Sequence, residues 1–148
     1  MTPNSAAPNG GIRVLLVDDQ VPFRALTRAL LAADGQFDVV AEADNAVACL
    51  TAARHHRPHI VLVDLRLAGH DPGALIGPLI RTTPTTMIGV LSALPASRHR
   101  NRVRSLGAFA YYANTQFAEL PALLAADHRA FARALDGEGT IAPAVYAR

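Results

Sequence analysis

Three carboxylates stand where chemistry is expected: the adjacent pair Asp18-Asp19 and the single Asp64. Val14-Leu15-Leu16-Val17 leads into the pair, and Ile60-Val61-Leu62-Val63 leads into Asp64. Such runs are apolar on both faces of a strand, the pattern required when helices cover both sides of a parallel sheet. The carboxylates therefore fall at strand carboxyl ends, the rim where open α/β sheets bind ligands. A competing reading of Asp64 is a helix cap, which accepts hydrogen bonds from free N–H groups. Carboxylates sharing one crevice repel each other, so protonation or a divalent cation must neutralise them, and oxygen-only ligation suits Mg²⁺. Beside such a cation Asp64 is placed to act as a nucleophile that takes a phosphoryl group as an acyl phosphate. Ser92 ends the next apolar run and is placed to donate its hydroxyl to a phosphoryl oxygen; alone, it reads as a strand-end turn residue.

The elements that must position these residues alternate regularly. Gly11–Asp19 is a strand, followed by a helix opened by Val21-Pro22 and ended by Asp34-Gly35, with Phe23, Leu26 and Leu30 expected to face inward. Phe37–Ala43 is a second strand. A helix over Asn45–His56 is expected to bury Val47, Leu50 and Cys49, and Arg57-Pro58 leads back to the Asp64 strand. Pro72–Arg81 reads as an amphipathic helix with Leu75, Ile76, Leu79 and Ile80 on one side and a bend at Pro78. Thr85–Ala93 is the fourth strand, Pro95–Leu106 an arginine-rich helix with few core anchors, and Gly107–Ala113 the fifth strand. A last helix, starting at Phe117 or Pro121 and running to Leu135, buries Leu120, Leu124, Phe131 and Leu135. Five βα units with right-handed crossovers predict a doubly wound parallel sheet of order 2-1-3-4-5 with helices on both faces. Its switch point lies between the strands that end in Asp18-Asp19 and Asp64.

Composition narrows the class. A 148-residue chain that is 51% hydrophobic and 18% charged fits one folded domain. No apolar run reaches a membrane-spanning length, and the first ten residues read as a polar arm, so a cytoplasmic protein without membrane contact is expected. Cys49 is the single cysteine, which excludes an intrachain disulfide. The histidines His55, His56, His59, His70, His99 and His128 show no metal-ligand spacing. All 14 basic residues are arginines, and a net charge of +2 does not by itself imply nucleic-acid binding.

The pair Asp18-Asp19, Asp64 after IVLV, the loop LRLAGHDPG, Ser92 after IGVL, and Gly107-Ala108 before Tyr111 together resemble the receiver domain of two-component response regulators. The resemblance covers residues 11–135, with residues 1–10 as an arm. Residues 136–148 look like the linker that precedes the helix-turn-helix domain in NarL/FixJ-type (LuxR-type) regulators. The resemblance implies a flavodoxin-like fold. It also implies Mg²⁺ held by Asp18, Asp19, Asp64 and the Arg66 backbone carbonyl, with Asp64 taking phosphate from a sensor histidine kinase. Ser92 and Tyr111 match the switch positions. A homodimer through the fourth helix, fifth strand and last helix is implied, controlling transcription, with DNA contacted only through an output domain that this chain does not contain. Any catalysis would be limited to its own phosphorylation and dephosphorylation.

The sequence also departs from that pattern. Asn114 stands where receivers place a lysine, and the chain has no lysine to substitute. An amide donates hydrogen bonds without the charge-assisted part of the contact. Arg98 and Arg100, in the following loop and helix, are the cations considered for reaching into the site, a reading disfavoured because a guanidinium is larger than an ammonium and planar. With Arg102 and Arg104 they form a basic cluster that is read first as a solvated face and second as a partner surface. Ala68 and Pro72 replace the usual proline and glycine of the loop, His70 lies beside them, and Asn114–Leu120 is longer than the usual join. The rival reading is a pseudo-receiver, a phosphorylation-independent dimerisation or protein-interaction module. A free-standing phosphatase is disfavoured because Asp18 and Asp19 are adjacent rather than one residue apart, and the chain has no glycine-rich phosphate loop.

Overall fold

The computed structural model describes residues 10–65, 67, 71, 73–93 and 96–138, with the side chains of residues 73 and 96–98 outside the description. Arg66, Ala68, His70 and Pro72, the arm before Gly10 and the tail beyond Glu138 lie outside the described residues, as does the Arg98 side chain. The elements are β1 (Ile12–Val17), α1 (Val21–Asp34), β2 (Phe37–Ala43), α2 (Ala46–His56), β3 (Ile60–Asp64), α3 (Gly73–Thr82), β4 (Met87–Ser92), α4 (Ala96–Leu106), β5 (Ala110–Ala113) and α5 (Leu120–Glu138). All strand pairs are parallel, in the order β2-β1-β3-β4-β5. This is the expected doubly wound sheet.

Two apolar clusters sandwich it. Leu15, Val17, Val61, Val63, Ile88 and Val90 pack with Cys49, Leu75, Ile76, Leu79 and Val103 from α2, α3 and α4. Val14, Leu16, Ile60, Leu62 and Met87 pack on the other side with Leu31, Leu124 and Phe131 from α1 and α5. Burying a Leu or Ile side chain fully stabilises by roughly 1.5–3 kcal/mol, so the central strands, loaded on both faces, hold the sheet rigid. Burial also pushes the Cys49 thiol up to about 12, consistent with its expected place in the core.

Two inward assignments are corrected. Leu26 is 58% exposed and Val47 75% exposed. In α1 the buried pair is Thr27 and Leu31, four residues apart, and Leu26 is one residue, about 100° of helix, away from Thr27. In α2 the buried pair is Cys49 and Ala53, and Val47 lies two residues, about 200°, from Cys49 on the opposite face. Apolar identity at helical spacing did not show which of several possible stripes the sheet would take.

Local chemistry sets the ends. A proline sits in the first turn of α1, and Gly35 ends that helix at φ 86. The Asn45 side chain accepts the Ala48 N–H at 2.9 Å at the start of α2. Between β5 and α5, Asn114–Glu119 forms a 3-10 helix, so the long join has structure of its own. Phe117 within it lies 5.5 Å, between ring centroids, from Phe23 of α1. The two adjacent tyrosines of β5 face opposite sides: Tyr111 joins the α2–α4 cluster and Tyr112 the α1–α5 cluster. The Tyr112 hydroxyl donates to Asp127 Oδ2 of α5 at 2.6 Å.

α4 is the weakly anchored helix the sequence implies. Among its described side chains Val103 is the one in the core, and its Arg102 pairs with Asp71 at the surface. The turn that follows depends on Gly107, at φ 117, where a Cβ would stand 2.0 Å from Ile80 Cδ1. Gly107→Ala should therefore cost about 2–4 kcal/mol from strain and overlap together. Gly35→Ala, at positive φ but in open space, should cost only about 1 kcal/mol. Urea unfolding of both variants checks this ranking; equal losses would mean that Ile80 gives way freely.

Candidate functional site

Register brings the acids together. Val17 pairs with Val63, so the next residues, Asp18 and Asp64, emerge side by side at the carboxyl edge of the sheet. Asp18, Asp19 and Asp64 each present a carboxylate oxygen, and these oxygens lie within 4.8 Å of one another. Asp18 is buried, and Asp19 and Asp64 are half-buried. The Asp18 backbone N–H donates to the Ala43 carbonyl of β2 at 3.0 Å, fixing the pair's position against the neighbouring strand.

Burial is the largest cause that raises the Asp18 carboxyl above its usual range. Its hydrogen bond from the Gln20 backbone N–H, 2.8 Å from Oδ1, opposes this, Asp64 and Asp19 raise it further, and Arg24 lowers it. Asp19 Oδ1 is buried with no hydrogen-bond partner among the described residues. A buried acceptor left unpaired costs about 1–3 kcal/mol, and a cation among the three carboxylates would satisfy it. The oxygen-only donor set fits a hard divalent ion.

Sequence reasoning missed Arg24. From the first turn of α1 its Nη1 donates to the Asp18 carbonyl at 2.5 Å, and its Nε donates to Glu42 Oε1 at 2.7 Å. Arg24 lines the cleft with Asp18 and Asp64. The available signal was an arginine six residues after Asp18, one helical turn into α1, where a long side chain reaches back to the strand end.

The hydroxyl side of the site is also assembled. Asp64 pairs with Leu91, which places Ser92 one step beyond it on β4. Ser92 is buried and hydrogen-bonded to the Tyr111 hydroxyl, so the two expected switch residues are in contact. Burial raises the Tyr111 phenol above its ordinary value, the Ser92 bond and Arg100 lower it, and Asp64 raises it. Arg100 of α4 lies over the Tyr111 ring, with Cζ 6.0 Å from the centroid. Asn114 sits apart in kind: it is a solvent-exposed residue that opens the 3-10 helix, two positions before Gln116, whose side chain accepts the Ala113 N–H at 3.3 Å. The Arg66 carbonyl lies outside the described residues. No described helix is long and apolar enough to cross a membrane.

Comparison with known proteins agrees with this geometry. A protein-glutamate methylesterase/protein-glutamine glutaminase of Anaeromyxobacter dehalogenans is 38% identical over 97 residues, which span 66% of this chain but only 28% of that protein. The response regulator GacA of Pseudomonas aeruginosa is 30% identical over 135 residues, covering 90% of this chain and 60% of GacA. The crystal structure of a LuxR-family two-component response regulator from Aurantimonas superposes with a TM-score of 0.76 at 26% identity, covering 81% of this chain and 86% of the other. The chain thus spans about a quarter of the methylesterase and over half of GacA. The response regulator receiver domain model matches residues 14–120, a span that holds all three carboxylates, Ser92, Tyr111 and Asn114. With strand order, acidic rim and hydroxyl pair all inside the matched span, this chain belongs to the response regulator receiver domain family.

Proposed function

We propose that this receiver domain accepts a phosphoryl group on Asp64 from a sensor histidine kinase and passes the signal to an output, most simply transcription through a DNA-binding domain. The observation that carries the reading is the convergence of Asp18, Asp19 and Asp64 around a buried, unpartnered Asp19 oxygen. Asp18, Asp19 and Asp64 would hold Mg²⁺, and the backbone carbonyl of Arg66 is proposed as a further ligand. The bound ion would neutralise charge on the phosphoryl oxygens. Asp64 Oδ attacks phosphorus as the P–N bond to the kinase imidazole breaks, and the electron pair of that bond leaves with the imidazole nitrogen. The Ser92 hydroxyl donates to a phosphoryl oxygen, drawing on its bond to Tyr111 as the two switch residues respond. Asn114 offers an uncharged amide where a cation is usual.

The working unit is taken as residues 11–135, flanked by the arm 1–10 and the linker 136–148. It is not an enzyme beyond turnover of its own aspartyl phosphate. A cytoplasmic homodimer through α4, β5 and α5 completes the reading. The methylesterase activity named for a relative stays with that relative, of which this chain matches a minor part.

Intact-mass spectrometry after acetyl phosphate and Mg²⁺ should show a single phosphoryl adduct on the wild type and none on Asp64→Asn. No adduct on the wild type would favour the pseudo-receiver, a reading that the uncharged Asn114 supports.

The raised Asp18 carboxyl gives a second check. Its unfolded counterpart ionises at the ordinary value, while the native state holds its proton to higher pH. Native protein therefore binds more protons across that window, and stability falls as pH rises through it. At neutral pH in chelator, Asp18→Asn should melt roughly 2–5 °C above wild type, and Mg²⁺ should stabilise it less than it stabilises the wild type. A lower melting temperature with an undiminished Mg²⁺ response would count against a shared site.

A further inference from the structure

Phosphorylation adds roughly 1.5–2 negative charges to a rim that already carries three carboxylates, so the cations around it decide how well that charge is held. The chain has no lysine, and Asn114 is neutral and exposed. Two described arginines approach the site from opposite sides. Arg24 is committed to Glu42 and to the Asp18 carbonyl, and Glu42 also takes Arg28. That guanidinium is fixed on the α1 side by the two acceptors it already holds. Arg100 approaches from the α4 side, over the face of the Tyr111 ring.

We propose that Arg100 is a positioning residue for the phosphoryl group on Asp64, acting through Tyr111: its guanidinium over the ring holds the phenol against Ser92 and supplies the positive field on the α4 side of the site. The proposal rests on the phosphoacceptor reading given above and adds the residue that compensates for Asn114.

Four points support it. A cation over an aromatic face is attracted by the ring quadrupole, which biases the ring's placement. Tyr111 and Ser92 are both buried and bonded to each other, so a force on the ring is transmitted to the hydroxyl beside Asp64. Tyr111 also feels Arg100 and Asp64 with opposite signs, which places the phenol within the fields of both charges. The helix that carries Arg100 has Val103 as its described core anchor and a surface pair between Arg102 and Asp71, so it can follow a change of charge at the rim.

The test uses the full chain with two probes of opposite sign, Mg²⁺ and then beryllofluoride, each titrated against the Asp64 and Ser92 amide resonances. Loss of a nearby cation must weaken an anion and leave a cation's binding equal or tighter, whereas general loosening of the site weakens both. Arg100→Ala should bind beryllofluoride about three- to ten-fold more weakly than wild type, with Mg²⁺ affinity unchanged or increased. Arg100→Lys should recover most of the difference, and Arg102→Ala, which removes a neighbouring α4 charge paired with Asp71, should stay near wild type. Unchanged beryllofluoride affinity in Arg100→Ala, a parallel loss of Mg²⁺, or an equal effect from Arg102→Ala would overturn the role of Arg100 while leaving the receiver reading intact. A wild-type chain that binds neither probe would overturn that reading and this proposal with it.

Discussion

The mutual repulsion of Asp18, Asp19 and Asp64 is the constraint on which the rest of the structure bears. Two unit charges at about 4 Å interact by roughly 4 kcal/mol at the effective dielectric of a protein surface, so three ionised carboxylates within 4.8 Å would spread apart on a flexible scaffold. They are held because none of them can retreat. Asp18 and Asp64 are the continuations of paired central strands whose side chains are buried on both faces, and Asp18 is tied to β2 by its own backbone N–H. The two-faced hydrophobic core thus offsets an electrostatic cost concentrated at one edge. A site strained in this way gains from any ligand that brings positive charge, and Asp18, the most buried of the three, holds its proton to higher pH chiefly because of that burial, with Asp64 and Asp19 adding to it.

Topology explains why the acids meet at this edge rather than along a helix. In the order β2-β1-β3-β4-β5, the chain leaves β1 in one direction and β3 in the other, so a crevice opens where their following loops diverge. Ser92 enters from the next strand along, one residue beyond the level of Asp64, with its side chain on the face where Tyr111 and α4 lie. Asp64 and Ser92 are the last residues of β3 and β4, and Asp18 follows directly on β1, so these three are placed by backbone pairing rather than by loop conformation. Sites placed on strands in this way are more precise than sites carried on loops.

Much of this was legible in the sequence because strands buried on both faces leave an unmistakable mark. VLLV before Asp18 and IVLV before Asp64 announce both the strands and the carboxylates that end them, and regular βα alternation leaves few topologies open. What failed to show was rotational and side-chain detail. Leu26 and Val47 carry the right residue type at plausible spacing, yet the stripes that contact the sheet pass through Thr27–Leu31 and Cys49–Ala53. A small residue such as Ala53 lets a helix sit close, and no hydrophobicity pattern signals that. Arg24 was missed for a different reason: its spacing from Asp18 was the one signal, and neither of its partners, the Asp18 carbonyl and Glu42 on β2, marks it as a site residue in the sequence.

The join after β5 shows how packing can take over a place usually governed by charge. A lysine there would be drawn toward the carboxylates by their field, and the backbone around it would be shaped to let it reach. Here the segment coils into a 3-10 helix, with Phe117 packed against Phe23 of α1 and Gln116 closing back on the Ala113 N–H. Phe23 directly precedes Arg24, so the residue that anchors the join is next to the one that clamps Asp18. The join and the acidic rim are consequently braced through α1, by an apolar contact that does not depend on the ionisation of the site. Asn114 is exposed at the head of that segment and brings no charge to the join. On the opposite flank of the rim Tyr111 is bonded to Ser92 and lies under Arg100 of α4, whose described buried anchor is Val103.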